Sequence, residues 1–221
     1  MKFSSAITGR VASPVCIGLF LALLTFVPTV PGQKPAAEIK NPLGTVTDGH
    51  YQNEYLRFGF EFSNTYVVLS PDQSKIYEDA GADIITNGNA DTSKRMESAL
   101  ERQSTLISVL EKPFGTPDNS TLEIVAVKQK PGVTANMALA ASIGLMTSSG
   151  KFKLTRSVTG RYGRRSMPGA LIETDIGSIH LYQEVYAIML QGYGCLFAIS
   201  YQSEQGRKKM LDILETLVFE K

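Results

Sequence analysis

Histidine and cysteine are scarce in this chain and tryptophan is missing altogether: 221 residues include two histidines, two cysteines and no tryptophan. A structural zinc site needs pairs of such ligands at close spacing, and His50, His180, Cys16 and Cys195 provide none. Cysteine hydrolysis needs a histidine beside the thiol. If "QGYG" at 191–194 closes a simple hairpin, residue 190 faces 195, 180 faces about 205, and His180 lies ~33 Å along the strand from Cys195. His50 falls in a lead-in segment with no fixed place, and Cys195 in "GCLFAISY" reads as a buried, inert thiol. The chain has no G-x-x-x-x-G-K-[ST] and no G-x-G-x-x-G to cradle phosphates, so no nucleotide cofactor is implied. Asp79, Asp83, Asn87, Asn89 and Asp91 crowd "DAGADIITNGNAD", but the spaced Asp, Gly and terminal Glu of a calcium loop are absent. That stretch reads as a solvated loop, and no metal or other cofactor is expected.

A long apolar run is lacking too. "VCIGLFLALLTFVPTV" at 15–30 follows Lys2 and Arg10, falls short of the roughly 20 residues that cross a bilayer, and is interrupted by Pro28. This is a secretory signal pattern. Residues 1–32 are expected to be removed after Gly32, with Gln33 as the mature start, the alternative being that the segment is retained as an anchor. The mature protein is then extracytoplasmic, periplasmic or secreted, and touches the membrane only through the signal segment before cleavage. Cys16 precedes most of the apolar run rather than following it, which excludes a lipid-anchoring site. The mature chain of 189 residues carries Cys195 alone, so no intramolecular disulfide can form.

Without Lys2 and Arg10, 20 basic residues face 21 acidic ones, and this balance argues against generic nucleic-acid binding. The distribution is uneven. Residues 48–123 hold 13 acidic and 6 basic side chains, whereas 124–172 hold 8 basic and no acidic side chain.

Residues 33–50 contain prolines and glycines without a sustained period and read as a flexible lead-in, with one domain over 51–221. In "YLRFGFEF" Phe58, Phe60 and Phe62 alternate as in a half-buried strand, and "TYVVL" continues as a second. Residues 71–92 are polar and read as an exposed loop, followed by a helix over 91–103 capped by Asp91 or Thr92. "TLISVLEK" and "TLEIVAVKQK" form a strand pair across "PFGTPDNS". "TANMALAASIGLM" spaces Leu139, Ile143 and Met146 for a helix whose small residues allow close packing on a sheet. Strands follow at "KFKLTRSV", at 170–174, at "IHLYQEVYAIML" and at "CLFAISY". "SEQGRKKMLDILETLVF" is the last helix, with Ser203 as its cap. Hairpin neighbours rather than strict strand and helix alternation predict an α+β domain with a mainly antiparallel sheet flanked by helices.

"GHYQNEYLRFGFEFSNTY", the hairpin "YAIMLQGYGCLFAISY" and the closing "LETLVFEK" resemble the PsbP-like family, named for an extrinsic subunit of the photosynthetic oxygen-evolving complex. The resemblance spans 49–219 and implies an α-β-α sandwich and a non-catalytic, extracytoplasmic accessory domain that docks on a larger assembly. It implies no ligand and carries over no binding residue. Where many such domains have a Pro-x-Gly-Trp stretch, this chain has "FSNTYVVL".

Two candidate sites emerge from the residues themselves. "RSVTGRYGRR" places Arg156, Arg161, Arg164 and Arg165 within ten positions, with Lys151 and Lys153 just before. Gly160 and Gly163 put the arginines on or beside a turn, where forked donors meet carboxylates or phosphates. The partner is an unknown protein or anionic polymer: an acidic protein, lipid headgroups or a surface polymer. Solvated surface, pairing with the acidic half and head-to-tail self-association are the competing uses of this charge. The second candidate is one strand face, where His180, Tyr182, Glu184 and Tyr186 alternate and Tyr201 is expected opposite Glu184. That face suits a small-molecule carrier with a pocket between sheet and helices. No nucleophile, base and orienter fall together, so an enzyme is not expected.

Overall fold

The computed structural model describes residues 43–86, 90–148 and 150–220. Among them the chain begins with β1 (Thr45–Thr47), β2 (His50–Asn53), β3 (Phe58–Glu61) and β4 (Val67–Val68), followed by helices α1 (Pro71–Thr86) and α2 (Ala90–Leu100). A strand pair, β5 (Gln103–Leu110) and β6 (Thr121–Lys128), leads to α3 (Ala135–Thr147). Four long strands come next: β7 (Phe152–Tyr162), β8 (Arg165–Ile176), β9 (Ile179–Leu190) and β10 (Tyr193–Tyr201). The described chain closes with α4 (Glu204–Glu215) and β11 (Val218–Phe219).

The strands form two antiparallel sheets, one of seven in the order β4-β5-β6-β10-β9-β8-β7 and one of four in the order β1-β2-β3-β11. Side chains alternate across the large sheet, as a period of two requires. Cys195, Phe197, Ile199 and Tyr201 of β10 join a core with Phe58, Phe60, Met210 and Leu214, from the small sheet and α4. Leu196 and Ala198 face the opposite core, built with Ile85, Met96, Leu139 and Met146 of α1, α2 and α3. The protein is therefore an α+β fold with helices on both faces of an antiparallel sheet, the small sheet sharing the α4 side. Close packing of α3 is visible at Gly194, where an added Cβ would lie 3.2 Å from the Ala138 Cβ.

Three local expectations need correction. Residues 71–92 are not a loop, because most of the stretch is α1. Its signal was in "SPDQ": Ser70 Oγ accepts from the Gln73 N–H at 3.3 Å and Gln73 Oε1 accepts from the Ser70 N–H at 3.0 Å. That is a capping box, and Pro71 at the first helical position suits it because its missing N–H is one the helix leaves unpaired anyway. Asp79 accordingly sits on α1 and Asp91 on α2, while Asn87 and Asn89 lie outside the described residues. The lead-in is shorter than 33–50, since β1 and β2 already pair at Thr45–Gln52. The expected signal segment and cleavage site lie outside the described residues, and among those described no helix is long and apolar enough to cross a membrane.

The third correction concerns register. Leu190 pairs with Tyr193, not residue 195, because Gln191 and Gly192 alone make the turn with φ of 49° and 78°. Two positive φ values in a two-residue loop match the twist of the flanking strands, which releases Tyr193 and Gly194 into β10. Tyr201 therefore stands opposite Tyr182, and Glu184 opposite Ile199.

Candidate functional site

The β7–β8 hairpin carries the basic cluster at the edge of the large sheet. Gly163 and Arg164 form its turn with φ of 53° and 64°. Gly163 is held to glycine by space as well as by φ, since an added Cβ would lie 2.6 Å from the Phe219 ring. The extra residue between Leu154 and Arg156 is a β-bulge, and it changes which face the charges occupy. Lys153 pairs with Glu173 and Arg156 with Leu171, so both point to the α4 side. Without the bulge, an odd separation would have put them on opposite faces. Arg161 pairs with Ser166 on the α3 side, Arg164 sits at the tip, and Arg165 lies over the Phe219 ring at 4.8 Å.

The basic cluster thus wraps the hairpin rather than forming one flat patch. Lys153 is bonded to Glu173 at 3.0 Å, and Lys151, also exposed, lies just ahead of the strand. Arg156, Arg161 and Arg164 are exposed, and among the described residues no carboxylate lies within ion-pair distance of them. Lys153 is thus paired within its own hairpin by a carboxylate outside the acidic half, 48–123.

The tyrosine and glutamate face is arranged differently from expectation. Although Glu184 and Tyr201 are not directly opposite, the diagonal reach brings the Tyr201 hydroxyl to Glu184 Oε1 at 2.9 Å. Tyr186 donates to Glu184 Oε2, and Arg207 of α4 donates through Nε to Oε1. Arg207 also binds Glu204 at 2.8 Å. Burial raises the Glu184 carboxyl, but the hydrogen bonds from Arg207, Tyr186 and Tyr201 outweigh it and hold the group below its ordinary range. Burial first, and then the carboxylate beside them, push the Tyr186 and Tyr201 phenols up, so both remain donors. All these donors converge on a side chain only 2% exposed. Such a closed carboxylate fastens β9 to α4 and has no proton to give.

His180 stands apart at the end of β9, with Nδ1 2.7 Å from Asp175 and its ring edge-on to Tyr182. Tyr182 stacks on Tyr201 with ring centroids 5.6 Å apart. These two tyrosines, Leu171, Arg156 and Arg207 line a groove of about 360 Å³ that ends at the N-terminus of α4. The two regions singled out in the sequence therefore meet at Arg156. Arg207, central to the closed cluster, escapes sequence reasoning because its partner Glu184 lies 23 residues away on another element. Cys195 is fully buried and its thiol is pushed up by that burial, as an inert core residue.

No family model matches the chain, and no curated protein matches its sequence. Three solved structures align with parts of it. Cyanobacterial PsbP (CyanoP) from Synechocystis sp. PCC 6803 aligns over 85% of this chain and 100% of its own, at 9% identity and a TM-score of 0.48. LpqN of Mycobacterium tuberculosis, a protein involved in cell envelope biogenesis, aligns over 74% and 83% at 9% identity and a TM-score of 0.43. A protein of Bacteroides thetaiotaomicron VPI-5482 aligns over 79% of this chain at 7% identity and a TM-score of 0.45, and the chain spans half its length. Likenesses at this level assign no activity or partner to this chain.

Proposed function

We propose that this protein is an extracytoplasmic, non-enzymatic accessory domain that docks on an anionic macromolecule through the β7–β8 hairpin. One observation carries the reading: three exposed arginines, Arg156, Arg161 and Arg164, have no carboxylate within ion-pair distance among the described residues, in a stretch of 49 residues, 124–172, that has eight basic and no acidic side chains. An unpaired guanidinium presents a rigid fork of donors to carboxylate or phosphate at little cost in ordering. Lys151, Lys153 and Arg165 extend the same positive field, which steers an anionic partner toward the hairpin. The signal pattern at 1–32 supports the extracytoplasmic setting.

The groove beside Tyr182 and Tyr201 favours a second reading, a small-molecule carrier. Glu184 is closed by its own donors, which leaves Arg156, Arg207 and the stacked tyrosines as the contacts a ligand would meet. The docking reading makes the sharper prediction. Arg161→Glu with Arg164→Glu is expected to abolish partner capture from extracts of the native host while shifting Tm by no more than a degree or two, since both side chains are exposed. Capture at the wild-type level by the double variant, at low salt, would remove the hairpin from the contact.

A further inference from the structure

Among the described residues β7 is the long edge strand of the large sheet. The opposite edge, β4, has two residues, while β7 has eleven, from Phe152 to Tyr162, most of them exposed. Half of its backbone N–H and C=O groups point away from β8, and among the described residues no strand lies beyond them. Such an edge pairs readily with another extended chain, and the charges on it decide which chain. A second copy is disfavoured: β7 carries Lys153, Arg156 and Arg161 and no acidic residue, so pairing two β7 strands brings like charges together, and a pair centred on either arginine sets it directly against its own copy, which is destabilising.

We infer that β7 takes an acidic, extended protein segment as an added strand, which makes backbone pairing the core of the contact and the arginines its reading heads. This rests on the docking reading above and names the partner class: a polypeptide, not a lipid surface or polyphosphate. The geometry also sets a spacing. Arg156 points to the α4 side and Arg161 to the α3 side, five residues further along a regular stretch of strand. At about 3.3 Å per residue they are ~17 Å apart on opposite faces. An added strand meets both when its acidic residues are five positions apart, because odd spacing places side chains on opposite faces. Spacing of four puts both carboxylates on one face and satisfies one arginine.

The test uses the intact mature chain and three probes at low salt. The first is a ten-residue peptide of alternating threonine and valine with two glutamates five positions apart. The second moves one glutamate to a spacing of four, and the third is polyphosphate, a polyanion with no backbone to pair. The first peptide is expected to bind about fivefold more tightly than the second, the upper size of one lost cross-strand charge pair. It is also expected to slow hydrogen exchange of β7 amides and to lose binding in Arg156→Glu with Arg161→Glu. Equal binding of both peptides, or binding without β7 protection, overturns strand addition and leaves charge docking standing. Binding of polyphosphate alone does the same. If no probe binds, the docking reading falls with it.

Discussion

Glu184→Ala is expected to lower stability by about 3 kcal/mol, because it strands the hydroxyls of Tyr186 and Tyr201 and half of the Arg207 pairing in one step. For a domain of this size that is a fall in Tm of roughly 10 °C. Glu184→Gln is expected to lose less, since an amide oxygen still accepts from the tyrosines while the charge facing Arg207 is gone. The pH dependence follows from the direction of the shift. Glu184 is held below its ordinary range in the fold, so its stabilisation is complete above the unfolded value and disappears as pH falls through the folded one. Acid unfolding monitored by circular dichroism should therefore be less steep in Glu184→Gln than in the wild type. Identical acid limbs in both proteins would show that Glu184 does not hold β9 to α4 by charge.

Glu123→Gln is expected to do the opposite and stabilise the protein at pH 7 and above. Glu123 lies on β6 at 4% exposure, opposite Ser108 and Ala198, and neither carboxyl oxygen has a hydrogen-bond partner among the described residues. Burial, followed by the nearby Glu78 charge, pushes its carboxyl from 4.5 up to about 8. A raised folded value means that the native state keeps the proton while the unfolded chain loses it. Stability is then whole below pH 4.5 and falls toward pH 8, by at most about 1.4 kcal/mol per unit. The wild type should melt several degrees lower at pH 8 than at pH 5, and Glu123→Gln should flatten that slope. A wild-type Tm that rises between pH 5 and 8, with no change in slope in the variant, would contradict a neutral buried Glu123. Together the two carboxyls place maximal stability in the mildly acidic range, where Glu184 is ionised and Glu123 is not.

Local signals were legible wherever side chains and backbone agree over short range. Ser203 caps α4 by accepting from the Gly206 N–H, as residue type and the apolar spacing that follows it indicate, and Thr134 caps α3 in the same way by accepting from the Met137 N–H, a cap that sequence reasoning missed. The β5–β6 and β9–β10 hairpins follow from their alternation and turn residues. Helix α1 was hidden because its polar composition masked the capping box at Ser70 and Gln73. Register was off by two at Gln191 because residue type alone does not distinguish a two-residue loop from a four-residue one. The bulge after Leu154 has no sequence mark, yet it decides that Lys153 and Arg156 share a face while Arg161 takes the other. The arginines themselves were evident; their division between the two faces of an edge strand required the sheet order. Glu123 looked like any strand carboxylate until β5 and β10 closed on either side of it.

The central claim, that the hairpin arginines hold an anionic macromolecule, is tested most directly by isolating the protein from its native host at low salt and weighing it without denaturation. The account predicts a chain starting at Gln33 in complex with a macromolecule that moderate salt strips away, and no such complex for Arg161→Glu with Arg164→Glu. A bare monomer, or one carrying a small adduct that survives salt, would contradict it and point instead to the groove beside Tyr182 and Tyr201.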